Sequence, residues 1–153
     1  MKLAEALINR ADAQKRIHQL RERLTRNVKI QEGETPSEDP QELLAELRRT
    51  IDEFTRLVKQ INRTNSVTVF GGGLTLTDAL AERDGLALER NTLSELAQAA
   101  GEKDFRYGRS EIKLISTFNV GELQKRIDDL ARRYRELDTA IQQANWNIDL
   151  IEN

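Results

Sequence analysis

Few side chains here carry reaction chemistry, and their spacing limits what they can do. His18 is the sole histidine and cysteine is absent. That excludes two-histidine zinc sites, zinc–thiolate sites, disulfides and thiol redox chemistry. A carboxylate-bridged di-iron bundle needs Glu-x-x-His twice, and the residue three before His18 is Lys15. Ser110-Glu111-Ile112-Lys113 has the spacing of an acylating Ser-x-x-Lys, without its Ser-Asp-Asn and Lys-Thr-Gly companions. Gly71-Gly72-Gly73 lacks the Gly-Lys-Ser/Thr of a phosphate loop. The acidic run Glu32, Glu34, Glu38, Asp39, Glu42 lacks the ligand spacing and central glycine of a calcium loop. No catalytic residue, metal site or cofactor is therefore expected.

Three clusters remain as candidate contact sites. Asn62-Arg63-Thr64-Asn65 stands where a helix pattern gives way to a strand pattern, so Asn62, Arg63 and Asn65 either cap that helix or meet a ligand. Phe105-Arg106-Tyr107-Gly108-Arg109 mixes rings with the cations Arg106 and Arg109, a mixture able to stack on nucleic-acid bases. Asn145-Trp146-Asn147 holds the sole tryptophan; Trp146 either covers the end of a helical bundle or anchors a partner.

The elements that must position these residues are long helices. Val120, Leu123, Ile127, Leu130, Tyr134, Leu137, Ile141, Ala144, Ile148 and Ile151 follow a 3-4 spacing, a heptad seam that predicts a helix over 120–152 opening at Asn119 and Glu122. A second helix over 40–65 places Leu44, Leu47, Ile51, Phe54, Val58 and Ile61 on a seam widened by Leu43 and Leu57. It starts with Asp39 as cap and Pro40 at the first helical position. A third covers 2–28, with Leu3, Leu7, Ile17, Leu24 and Val28 on its seam, Arg10, Gln14 and Arg21 interrupting it, and Ala6, Ala13 and Leu20 beside it. A fourth covers 77–100, weakened by Gly85.

Two stretches break the helical period. Residues 66–76 alternate β-branched residues around the triple glycine and read as a hairpin. Residues 111–117 read as a strand. A helix of about 24 residues separates the two by about 36 Å; residues 101–110, spanning at most about 35 Å when extended, could barely return the strand to its own hairpin, and the alternative is that strand 111–117 meets the hairpin of a second copy. The predicted fold is mainly α: an antiparallel four-helix bundle with long coiled-coil-like helices plus a small β-hairpin and strand, as one domain over 1–153.

The 153 residues carry 24 basic and 26 acidic side chains, a net charge of −2, so there is no global nucleic-acid footprint. The charge is divided nonetheless. Residues 1–31 hold eight basic and three acidic residues, net +5, and residues 32–54 hold two basic and eight acidic, net −6. Attraction between neighbouring helices accounts for this, and a phosphate-binding basic face on the first helix is the alternative. No run of about 18 apolar residues is present to span a membrane. The opening Met1–Gln14 lacks the apolar core of a secretory signal, so a cytoplasmic location is expected.

The runs Leu7–Ile17, Ile61–Asn65, Leu74–Leu80 and Tyr134–Asp138, together with Asn145-Trp146, resemble the septicolysin-like family of bacterial proteins over nearly the whole chain. That family brings no catalytic or binding residues to carry over, and its name implies a haemolysin. The residues themselves favour a non-catalytic, self-associating helical protein acting as a homo-oligomer through protein contacts. The alternatives are an RNA or nucleotide binder using the basic face of the first helix, and a membrane-active protein of the kind the family name implies.

Overall fold

A computed structural model describes residues 1–102 and 112–153. The described residues form four helices, α1 (Leu3–Arg26), α2 (Pro40–Val67), α3 (Leu76–Gly101) and α4 (Val120–Asn147), and one antiparallel pair, β1 (Val69–Gly71) and β2 (Leu74–Thr75). The fold is mainly helical with a small sheet, as expected. The chain divides into two compact units: Met1–Thr75 with Gln142–Asn153, and Leu76–Ile141.

In the first unit α1 and α2 form an antiparallel hairpin. Arg16 pairs with Glu46 (Nε–Oε1 2.9 Å), and Arg23 pairs with Glu38, its Nε lying 3.1 Å from both carboxylate oxygens. The two ion pairs join the basic and acidic segments. The hydrogen bond from Arg23 holds the Glu38 carboxyl below its usual range. Asn27 ends α1 and ties down the connection to α2. Its Nδ2 donates to Arg23 O (2.8 Å), and its Oδ1 accepts from Ser37 Oγ (3.0 Å) and Glu38 N (3.2 Å). Asp39 caps α2 by accepting from Gln41 N at 2.9 Å, with Pro40 at the first helical position.

The buried face of α1 follows the expected seam in part: Leu3 is fully buried and Leu7, Ile17 and Leu24 are half-buried. Ala6, Ala13 and Leu20 are buried, whereas Gln14 and Arg21 are exposed and Val28 lies beyond the helix end at 70% exposure. On α2 the buried line likewise runs through Leu43, Leu57, Ile61 and Thr64, leaving Ile51 exposed.

Three sequence boundaries are corrected. Ser66 and Val67 belong to α2 rather than to a strand, and β1 begins at Val69. Hydroxyls carry the helix on: Ser66 Oγ donates to Arg63 O and Thr68 Oγ to Thr64 O. Gly71, Gly72 and Gly73 then adopt φ of 150°, 59° and 80°, the left-handed geometry a hairpin turn of glycines supplies. Second, α4 stops at Asn147 instead of 152. Leu3 N donates to Ile148 O and Leu150 N to Met1 O, both at 2.9 Å, forming an antiparallel bridge between Lys2 and Asp149. These bonds draw residues 148–150 out of the helix. Third, residues 112–117 form no strand. A strand requires an edge to pair with, and the described sheet contains β1 and β2 alone. A local turn closes the segment instead, with Ser116 Oγ donating to Phe118 O (2.6 Å) and accepting from Phe118 N (3.1 Å).

In the second unit α3 and α4 also run antiparallel, as shown by Arg83–Asp138 (2.9 Å), Glu89–Arg126 (3.0 Å) and Arg90 lying 5.0 Å from the Tyr134 ring centre. Asn119 opens α4 by accepting from Glu122 N at 3.1 Å. The α4 seam is buried or half-buried from Leu123 through Ile148. Among the described residues, α3 buries only Leu76 and Ala79 fully.

Candidate functional site

The last turns of α2 meet the tail that follows α4. Thr64 is fully buried; its hydroxyl donates to Gln60 O (2.8 Å) and accepts from Ile151 N (2.9 Å). Gln60 Nε2 donates to Glu152 O at 2.9 Å. Lys2 closes the other side of the tail, its ammonium 3.1 Å from Asn147 O at the end of α4 and 2.8 Å from Asp149. A cation there complements the helix dipole. The same ammonium holds the Asp149 carboxyl below its usual range.

Beside this clamp lies an open cleft of about 370 Å³, lined by Arg56, Lys59, Gln60 and Arg63 of α2, with Asp52 and Thr55, and by Glu152 and Asn153 of the tail. Arg56, Lys59 and Arg63 recur at three and four residues, which places them along one line of the helix. None of the three forms a salt bridge with a described residue. Gln60 is 6% exposed, and its Oε1 has no hydrogen-bond partner among the described residues.

The expected contact residues are thus separated. Asn62 and Arg63 are exposed, and Arg63 alone of that cluster lines the cleft. Asn65 turns inward, half-buried, with its Oδ1 unpartnered among the described residues. Trp146 is 55% exposed while its neighbour Asn145 is buried, so the indole does not fill the core. Arg106 and Arg109, with the rings beside them, lie outside the described residues. His18 is exposed and faces Glu22, Nε2 to Oε1 3.3 Å. Gln60, Arg56 and Lys59 were not singled out from the sequence. The basic spacing was visible there, but the burial of Gln60 depends on the tail folding over it.

Among the described residues, no group of three or more His, Asp or Glu side chains could hold a metal ion, and no helix is long and apolar enough to cross a membrane. The acidic residues around the start of α2 are engaged locally: Glu38 and Glu46 in ion pairs, Asp39 in the helix cap.

A search of curated proteins finds no match. Among solved structures, a crystal structure described as a functionally unknown conserved protein from Corynebacterium diphtheriae is 45% identical in sequence. It matches with a TM-score of 0.92, covering 99% of each chain. The family of unknown function DUF6847 matches residues 10–150, and the chain belongs to that family.

Proposed function

We propose that the protein acts through protein–protein contact rather than catalysis, as a cytoplasmic homo-oligomer whose helices pack as an antiparallel bundle with coiled-coil seams. One observation carries this reading: the run before α4 leaves large apolar side chains in water. Ile112, Leu114, Ile115 and Phe118 are 80%, 63%, 83% and 52% exposed. Single exposed apolar residues are ordinary, whereas a contiguous set marks an interaction surface. The β1–β2 hairpin supplies a matching feature, a two-stranded sheet with Val69 exposed on β1 and with Val67, at the end of α2, exposed just before it. A pair of strands is marginal alone and gains from a third. The segment 112–115 of one copy adding to the hairpin of another would cover both.

Sedimentation velocity at low micromolar concentration tests this. An oligomer is expected, converting to monomer when Leu114 and Ile115 are both changed to lysine. Monomer alone for the unaltered protein overturns the reading. An oligomer that survives both substitutions moves the contact elsewhere.

A further inference from the structure

The cleft on α2 has a composition that self-association does not use. Arg56, Lys59 and Arg63 offer three cations on one helix line without a carboxylate partner among the described residues, although Asp52 stands one turn from Arg56 and Glu152 lines the same cleft. The second feature is Gln60. Its Nε2 is committed to Glu152 O, which fixes the orientation of the amide, because turning it over would set two oxygens against each other. The remaining Oε1 is therefore an acceptor, held in a nine-tenths buried side chain and lacking a donor. Buried acceptors are nearly always paired, and leaving one unpaired costs about 1–3 kcal/mol.

We propose that this cleft binds a small phosphate monoester that also carries hydroxyl groups. The phosphate sits against Arg56, Lys59 and Arg63, where guanidinium forks and an ammonium provide charge-assisted hydrogen bonds. The hydroxyls are directed to the acceptors, namely the Asp52 and Glu152 carboxylates and, as the tail adjusts around the ligand, Gln60 Oε1. Three cations beside the Asp52 carboxylate and the Glu152 carboxylate, the latter also 3.4 Å from the Met1 ammonium, suit a phosphate whose several sugar hydroxyls can donate to those oxygens better than phosphate alone. At about 370 Å³ the cleft has room for about twelve waters at about 30 Å³ each, enough for a sugar phosphate.

Isothermal titration calorimetry on the full chain, with ribose 5-phosphate, inorganic phosphate and ribose as separate probes, tests the assignment. Ribose 5-phosphate is expected to bind at least about tenfold more tightly than inorganic phosphate, a difference of about 1.4 kcal/mol, and ribose to give no heat. The exposed double substitution Arg56→Gln with Arg63→Gln should abolish binding while leaving the circular dichroism melt unchanged. Gln60→Met should weaken ribose 5-phosphate but not inorganic phosphate. Equal affinity for the two phosphates, binding unaffected by the arginine substitutions, or no binding of ribose 5-phosphate at millimolar concentration each overturns the proposal.

Discussion

Asn27 shows how one polar side chain can set a connection. Its amide is the junction between the end of α1 and the start of α2, with one donor and two acceptor bonds in use. Replacing it with alanine leaves Ser37 Oγ and Glu38 N without their acceptor and removes a bond to the last turn of α1. The expected loss is about 2 kcal/mol, read as a lower urea midpoint with an unchanged slope. The ion pairs belong to the same scale, and their effect depends on pH. The carboxyls of Glu38, Asp129 and Asp149 are all held below their ordinary range, chiefly by hydrogen bonds from Arg23, Arg132 and Lys2 respectively. A carboxyl depressed in the folded state gives a stabilisation that is present above the unfolded value, about 4, and lost as pH falls through the folded value. The melting temperature should therefore hold from pH 7 to about 5 and fall below about 4. Asp149→Asn should melt lower at pH 7 and lose less between pH 5 and 3. All three carboxyls are on the surface, so 1 M salt should weaken the effect.

The starts of α2 and α4 were legible where local chemistry decides them, and so was the face of α4; the face of α1 was legible only in part, and the end of α4 was not. Asp39-Pro40 and Asn119 mark the beginnings of α2 and α4 in sequence and do so in the structure. The α4 seam is buried or half-buried over the positions that its 3-4 spacing names, apart from the exposed ends Val120 and Ile151. On α1 two lines satisfied the same spacing, one richer in leucine but broken by Arg10, Gln14 and Arg21, the other built on alanine. The structure uses both: Leu3 is fully buried and Leu7, Ile17 and Leu24 are half-buried on the first, and Ala6, Ala13 and Leu20 are buried on the second. The end of α4 was hidden for another reason. Ile148 and Ile151 continue the apolar period, but Ile148 O and Leu150 N bond to the backbone of Leu3 and Met1, and Ile151 N bonds to Thr64 Oγ1. A long-range bond of that kind leaves no local mark, and the cleft depends on it. Thr64 is the hinge of the arrangement. Thr64→Val preserves its volume but removes the acceptor of Ile151 N. A loss of about 1–3 kcal/mol is expected, and hydrogen exchange at the Ile151 amide should quicken well beyond that at the α2 amides. Unchanged exchange would mean the tail is held by its apolar contacts instead.

For the molecule as a whole, the bridge between Lys2 and Asp149 has a topological consequence. Paired residues in an antiparallel bridge lie about 5 Å apart, so the backbone just after α4 lies beside the backbone just before α1. A short glycine-serine linker joining residue 153 to residue 1, with new ends placed between the exposed residues Gly33 and Glu34, should give a permuted chain that begins near α2 and finishes with α1. Connections of this type tolerate such cuts when the old ends are close. The permuted protein is expected to keep the helical circular dichroism spectrum of the parent and to melt within a few degrees of it. Its ribose 5-phosphate affinity would show whether the tail must be free to adjust for the cleft to fill.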